Sequence, residues 1–239
     1  MHRPRLIANF LPEFGWQPVV LTVDSKYYEE KPDPNLNLTV ADHVEVHYTK
    51  AWKVSKPRLI GDIGLRAFPF IYQKAKKIIT EQKIDFIWIP IPSFYMALMG
   101  RLLYRKFKIP YGIDYIDPWV RDISGRRDFR HIISNSLARI LEPIAVKKAS
   151  LITGVSEGYY IPMLKRNFPK VYKLHQDSEN ENRNRNSKQI NKSTNQQINA
   201  IAFPYGFDPN DHKIELKNID LPWQNIPNCK PIVYAGAFL

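Results

Sequence analysis

The chain has 239 residues, 44% of them hydrophobic, and 35 Lys and Arg against 23 Asp and Glu give a net charge of +12. That length and apolar fraction suffice to bury a core, and no uninterrupted apolar run reaches the roughly 18 to 20 residues that cross a bilayer. The charge favours anionic partners without choosing among them, and Cys229, the single cysteine, excludes an intramolecular disulfide.

In chain order, Leu6, Ile7, Phe10, Leu11 and Phe14 recur at helical spacing until Gly15, and the β-rich run from Pro18 to Val23 follows. Val44 to Tyr48 predicts a short strand, Phe70 to Gln82 a helix, Ile84 to Ile89 a buried strand, and Ser93 to Phe107 a helix capped by Ser93. Tyr111 to Tyr115 reads as strand, Phe129 to Lys148 as a long helix despite Pro143, and Leu151 to Gly154 as strand. Glu157 to Asn167 then forms a short helix and Ala200 to Pro204 another strand. Basic residues gather at Lys74, Lys76 and Lys77, at Arg101, Arg105, Lys106 and Lys108, and at Arg126, Arg127 and Arg130. Solvated helix faces are their ordinary explanation. No nucleic-acid recognition pattern accompanies them, so no nucleic-acid partner is expected. The opening MHRPRLIANF lacks the apolar stretch and cleavage site of a secretory signal, which points to the cytoplasm.

Alternating helices and near-continuous apolar strands are what a parallel sheet covered on both faces requires, so the expected fold class is α/β, a Rossmann-like doubly wound parallel sheet. Such a unit normally opens on a strand, whereas here a helix comes first, so a missing first strand is expected. The expected organisation is one domain over residues 1–230, with a low-complexity Asn/Gln/Ser/Lys/Arg insertion over 175–199. The strand and glycine turn of 231–239 then begin a second domain.

Two constellations can carry chemistry. Gly154-Val-Ser156-Glu-Gly158 is a G-x-S-x-G between a strand and a helix, where an α/β-hydrolase places its nucleophile. A triad would draw on Asp208 and His212, four residues apart. The alternative makes Ser156 a helix N-cap between turn glycines. The second constellation, Asp114-Tyr-Ile-Asp117-Pro-Trp119-Val-Arg121, lies at the carboxyl end of a strand, where open α/β sheets bind ligands. There a carboxylate can act as general base and an indole can stack on a sugar, although Asp117 before proline also suits a turn and Trp119 also suits a core. Free N–H groups after Pro90-Ile-Pro92-Ser93 can hold a phosphate or sugar hydroxyl, or be capped in the ordinary way. His43 and His47 flank an alternating Val-Glu-Val, so no metal site is assigned.

In succession, the Arg3 to Trp16 helix with LPEFGW, VVLTV at 19–23, DYIDPW at 114–119, ASLITGVSEGY at 149–159, PYGFD at 204–208 and IVYAGAF at 232–238 resemble the N-terminal domain of family 4 glycosyltransferases. These are retaining enzymes of the GT-B fold that build bacterial polysaccharides and glycolipids. The resemblance implies an acceptor-side domain with Asp117 as catalytic base, and Arg3, Ser93, Asp114, Trp119 and Arg121 as acceptor-binding residues. Ser156 and Gly206 are then cap and turn residues. It also implies a glycan or lipid-linked acceptor, a nucleotide-sugar donor held by a C-terminal domain beyond Leu239, and no cofactor in this part. Inactivity of the part alone and peripheral contact with the anionic inner face of the membrane complete the expectation. The family's Asn-Gly turn stands here as Tyr205-Gly206. The competing readings are the hydrolase and a non-catalytic carbohydrate- or phosphate-binding module.

Overall fold

The protein, seen in a computed structural model, is described over residues 2–29, 38–54, 61–121, 129–173 and 198–209. Helix α1 (His2–Phe10) tightens into a 3₁₀ turn over Leu11–Phe14 and ends at Gly15, whose φ of 78° is a left-handed stop that glycine adopts without strain. The chain then enters β1 (Val19–Val23), which pairs in parallel with β2 (Glu45–Thr49).

Helix α2 (Ile63–Glu81) starts seven residues before the predicted Phe70. The Asp62 carboxylate accepts from the Leu65 N–H at 2.8 Å and caps the helix upstream of that point. Pro69 therefore lies in the second turn of the helix, where it cannot donate the i to i−4 bond to the Leu65 carbonyl.

Strands β3 (Ile87–Pro90), β4 (Tyr111–Tyr115), β5 (Leu151–Gly154) and β6 (Asn199–Ala202) form a second parallel sheet in the order β3-β4-β5-β6. Pro90, Asp114, Thr153 and Ile201 stand in one row near its carboxyl edge. Between these strands run α3 (Ala97–Phe107), α4 (Phe129–Val146) and α5 (Glu157–Asn167). The α/β architecture with parallel sheets is thus as expected, and the described strands divide into two sheets of two and four.

All five residues of β4 are buried, which a strand covered on both faces must be. Gly100 of α3 lets the helix approach β4 closely, because a Cβ there would collide with the ring of Tyr111. The Tyr111 hydroxyl donates to the Ala145 carbonyl of α4 at 2.6 Å, tying helix to strand. The main core gathers Ile89, Ile91, Leu103, Ile113, Ile152, Met163 and Leu164, and a smaller cluster joins Val23, Ala51 and Ala67. Ile71 of α2 packs on both, and Leu21 of β1 packs on the main core.

The low-complexity insertion was expected to end at Asn199, yet Ile198 is buried and Asn199 already pairs with Leu151. One isoleucine in a polar run is enough to start the strand, because it fills a core position. The remainder of that insertion and the predicted strand at 231–239 lie outside the described residues.

Candidate functional site at the carboxyl edge of the sheet

Asp114 lies near the carboxyl end of the fully buried strand β4 and is itself 0% exposed. A carboxylate so placed needs partners on both oxygens. Arg3, in the first turn of α1, donates from Nε to Oδ2 at 2.6 Å and from Nη2 to Oδ1 at 2.8 Å, and the Thr153 hydroxyl of β5 donates to Oδ1 at 2.6 Å. The Trp88 indole of β3 in turn donates to Thr153 Oγ1 at 3.3 Å. One helix and three neighbouring strands therefore meet at a single carboxylate.

Arg3 also reaches the segment after β6. Its Nη1 donates to the Pro204 carbonyl at 3.4 Å, and its guanidinium lies 5.2 Å from the Phe203 ring centre and 5.4 Å from that of Tyr205. Phe203, Tyr205 and Phe207 remain exposed, so this edge carries aromatic faces open to solvent above a buried ion pair. Asp117, three residues beyond Asp114, is exposed in the loop that follows β4.

The other predicted positions occupy different surroundings. Ser93 is buried and donates to Asp62 Oδ1 at 2.6 Å, joining the loop after β3 to the cap of α2. Its hydroxyl does not cap the following turn. Trp119 is 6% exposed, stacks on Phe94 with ring centres 6.1 Å apart and meets Tyr95 edge-on at 6.2 Å. Its indole thus packs among aromatic neighbours rather than presenting an open face. Arg121 is exposed, with its guanidinium 5.8 Å from the Phe94 ring, and its N–H donates to Asn135 of α4 at 3.0 Å.

Ser156 occupies the N-cap position of α5 with extended backbone, but its side chain makes no capping bond. The cap contact is the backbone one, Tyr159 N–H to Ser156 carbonyl at 3.1 Å. Gly154 is small for packing, since a Cβ would come within 2.9 Å of the Tyr160 ring. Gly206 is exposed, lies outside the left-handed region and has open space around it, so neither backbone nor packing demands glycine there. Of the hydrolase partners, Asp208 is buried, and His212 lies outside the described residues. Among the described residues no group of three or more His, Cys, Asp or Glu is placed to hold a metal ion.

Sequence reading missed Thr153, Phe203 and Tyr205, and with them a second buried carboxylate. Glu142 of α4 is 1% exposed and is gripped by Arg166 of α5, whose Nη2 lies 2.8 Å from Oε2 and 3.1 Å from Oε1. Asn167 adds a bond to Oε2 at 3.1 Å, and the Tyr115 hydroxyl approaches Oε1 at 3.4 Å. Burial pushes the Tyr115 phenol well above its usual value, and the neighbouring Glu142 charge adds to that. The available signal was an isolated acid in the apolar run of α4.

No protein-family model matches this chain, and no match is found among curated proteins.

Proposed function

We propose that this chain is the acceptor-side part of a retaining glycosyltransferase of the GT-B type, moving a sugar from a nucleotide-sugar donor to a glycan or lipid-linked acceptor. The observation that carries the proposal is the cluster at the carboxyl edge. There the Arg3–Asp114–Thr153 network fixes the ends of β4 and β5 and the segment after β6, leaving Phe203 and Tyr205 as aromatic faces at the edge where parallel sheets take ligands. Sugars bind aromatic faces through their C–H surfaces, and ordered carboxylates accept their hydroxyls.

In this reading Arg3, Asp114 and Ser93 position the edge. Exposed Asp117 accepts a proton from the acceptor hydroxyl, Trp119 and Arg121 shape the loop through Phe94, and the nucleotide sugar is held by a separate donor domain. The reading also places a further parallel strand between β1 and β3, joining the two sheets into one doubly wound order, and gives the protein a cytoplasmic life beside the inner membrane face.

The test is saturation-transfer NMR of this chain with free oligosaccharides. Saturable contacts are expected, weakened by Tyr205→Ala and Asp117→Ala with the melting temperature unchanged. In a chain that also carries a donor domain, Asp117→Asn should lower kcat/KM more than about threefold, roughly 0.7 kcal/mol of transition-state stabilisation. Absence of any oligosaccharide contact, together with covalent labelling of Ser156 by a fluorophosphonate, would replace this reading with the hydrolase.

A further inference from the structure

Helix α4 is built inside out. Its buried positions are Asn135, Ala138, Glu142, Ala145 and Val146, two of them polar. Its outward positions carry Phe129, Ile132, Ile133, Leu137, Ile140 and Ile144, with Phe129 73% and Ile140 64% exposed. At about 100° per residue, 129, 133, 137, 140 and 144 form one continuous stripe on the side opposite the buried face. Six of the fifteen exposed large apolar side chains among the described residues lie on this one helix. An apolar stripe of that length marks a surface that meets something other than water.

The charge around the stripe selects the occupant. Arg139 lies on the flank of the exposed side, about 80° round the helix from the nearest of the stripe positions, and Lys147 and Lys148 follow its C-terminal end, all three exposed. The only acidic residue of α4 is Glu142, which is buried against Arg166. The outward face is therefore apolar with basic flanks and no carboxylate, on a chain of net charge +12. A second copy would bring like charges together with no acid to offset them, whereas anionic lipid headgroups offer the complementary charge and the acyl boundary takes the isoleucines. No described helix is long and apolar enough to cross a membrane. We infer that α4 lies in the plane of an anionic membrane surface, with its Phe129–Ile144 stripe in the headgroup boundary and Arg139 and Lys148 on lipid phosphates. The inference deepens the inner-membrane placement in the proposed function by naming the contact surface, and vesicle binding without any oligosaccharide contact would separate it from the sugar-transfer reading.

Sedimentation of the whole chain with phosphatidylglycerol–phosphatidylcholine vesicles, against pure phosphatidylcholine, tests it. Binding is expected to the anionic vesicles alone and to weaken as salt rises. The exposed-face variant Ile133→Ser/Ile140→Ser should cut partitioning by about tenfold or more while the thermal melt is retained, because it removes interfacial apolar area. Arg139→Gln should weaken binding at low salt only. As a control, Phe14→Ser/Trp16→Ser, at an exposed apolar site on another element, should leave vesicle binding as it is. Lack of binding to anionic vesicles at low salt overturns the inference. So does equal binding by the α4 and wild-type chains, or an analytical-ultracentrifugation dimer that the α4 variant abolishes.

Discussion

Asp114 and Glu142 are both buried carboxylates held by an arginine through two oxygens, but they do different work. Asp114 ties α1 and β5 to the carboxyl edge of the sheet, and its arginine is itself only 3% exposed. Glu142 joins α4 to α5, and Arg166 is 33% exposed. Asn167 and Tyr115 supply further contacts to Glu142. The first pair stands beneath exposed aromatics and organises a surface. The second is a bolt between two helices, and it explains how α4 keeps a polar inner face. A buried ion pair therefore does not by itself mark a site. What surrounds its far side decides.

The largest expected effect separates the two pairs. Arg3→Met leaves Asp114 buried without its charge partner and should cost about 3 to 5 kcal/mol in urea unfolding. A loss below about 1 kcal/mol would mean that the carboxyl edge is held together by other contacts. Arg166→Met should cost less, about 1 to 3 kcal/mol, because Asn167 stays on Glu142 and the arginine begins partly in water. If the order of the two losses reverses, the helix bolt is the stronger element and the Asp114 pair is not what holds the carboxyl edge together.

A third effect comes from the phenols that share β4 with Asp114. Burial pushes Tyr111 up to about 12, and Tyr115 is also raised. Below pH about 10 both phenols are protonated in the folded and the unfolded chain, and the stability their burial supports is fully present. As pH rises further the unfolded chain releases these protons and the folded chain does not, so stability should fall progressively between about pH 10 and 12. Thermal melts across that range check it, and Tyr111→Phe should flatten the decline while losing the bond to Ala145. The smallest effect is at Ser156, whose hydroxyl makes no cap: Ser156→Ala should change stability by no more than about 0.5 kcal/mol.

The sequence made much of the chain order legible. The boundaries of β1, β4, β5 and α5 and the stop at Gly15 follow from apolar runs and turn chemistry that act within a few residues. Where local signals competed, reading failed. The start of α2 lies at the Asp62 cap, ahead of the apolar run that was read as the helix, and Ser156 has the right residue and backbone for a cap but not the bond. The Asp114-to-Arg121 segment was singled out correctly as lying at a sheet edge, yet its residues divide there: Asp114 and Trp119 turn inward, Asp117 and Arg121 outward.

The faces of α3 and α4 show the limit most clearly. The run from Ser93 to Phe107 mixes apolar and basic residues, a composition that suits an anionic interface as well as the sheet, and the fold packs it on the sheet. Ala97, Met99, Gly100 and Leu103 are buried, and Phe94, Tyr95, Met96, Leu98, Tyr104 and Phe107 pack against the core. The exposed stripe belongs to α4 instead. Periodicity determines that a helix has an apolar face, since that depends only on 3.6 residues per turn. Which face meets the sheet depends on partners far away in sequence: on Arg166 reaching Glu142, on Tyr111 reaching Ala145, and on Arg3 reaching across 111 positions to Asp114. Local spacing carries no record of those distances, so tertiary structure alone decided where this protein keeps its charge buried and its isoleucines exposed.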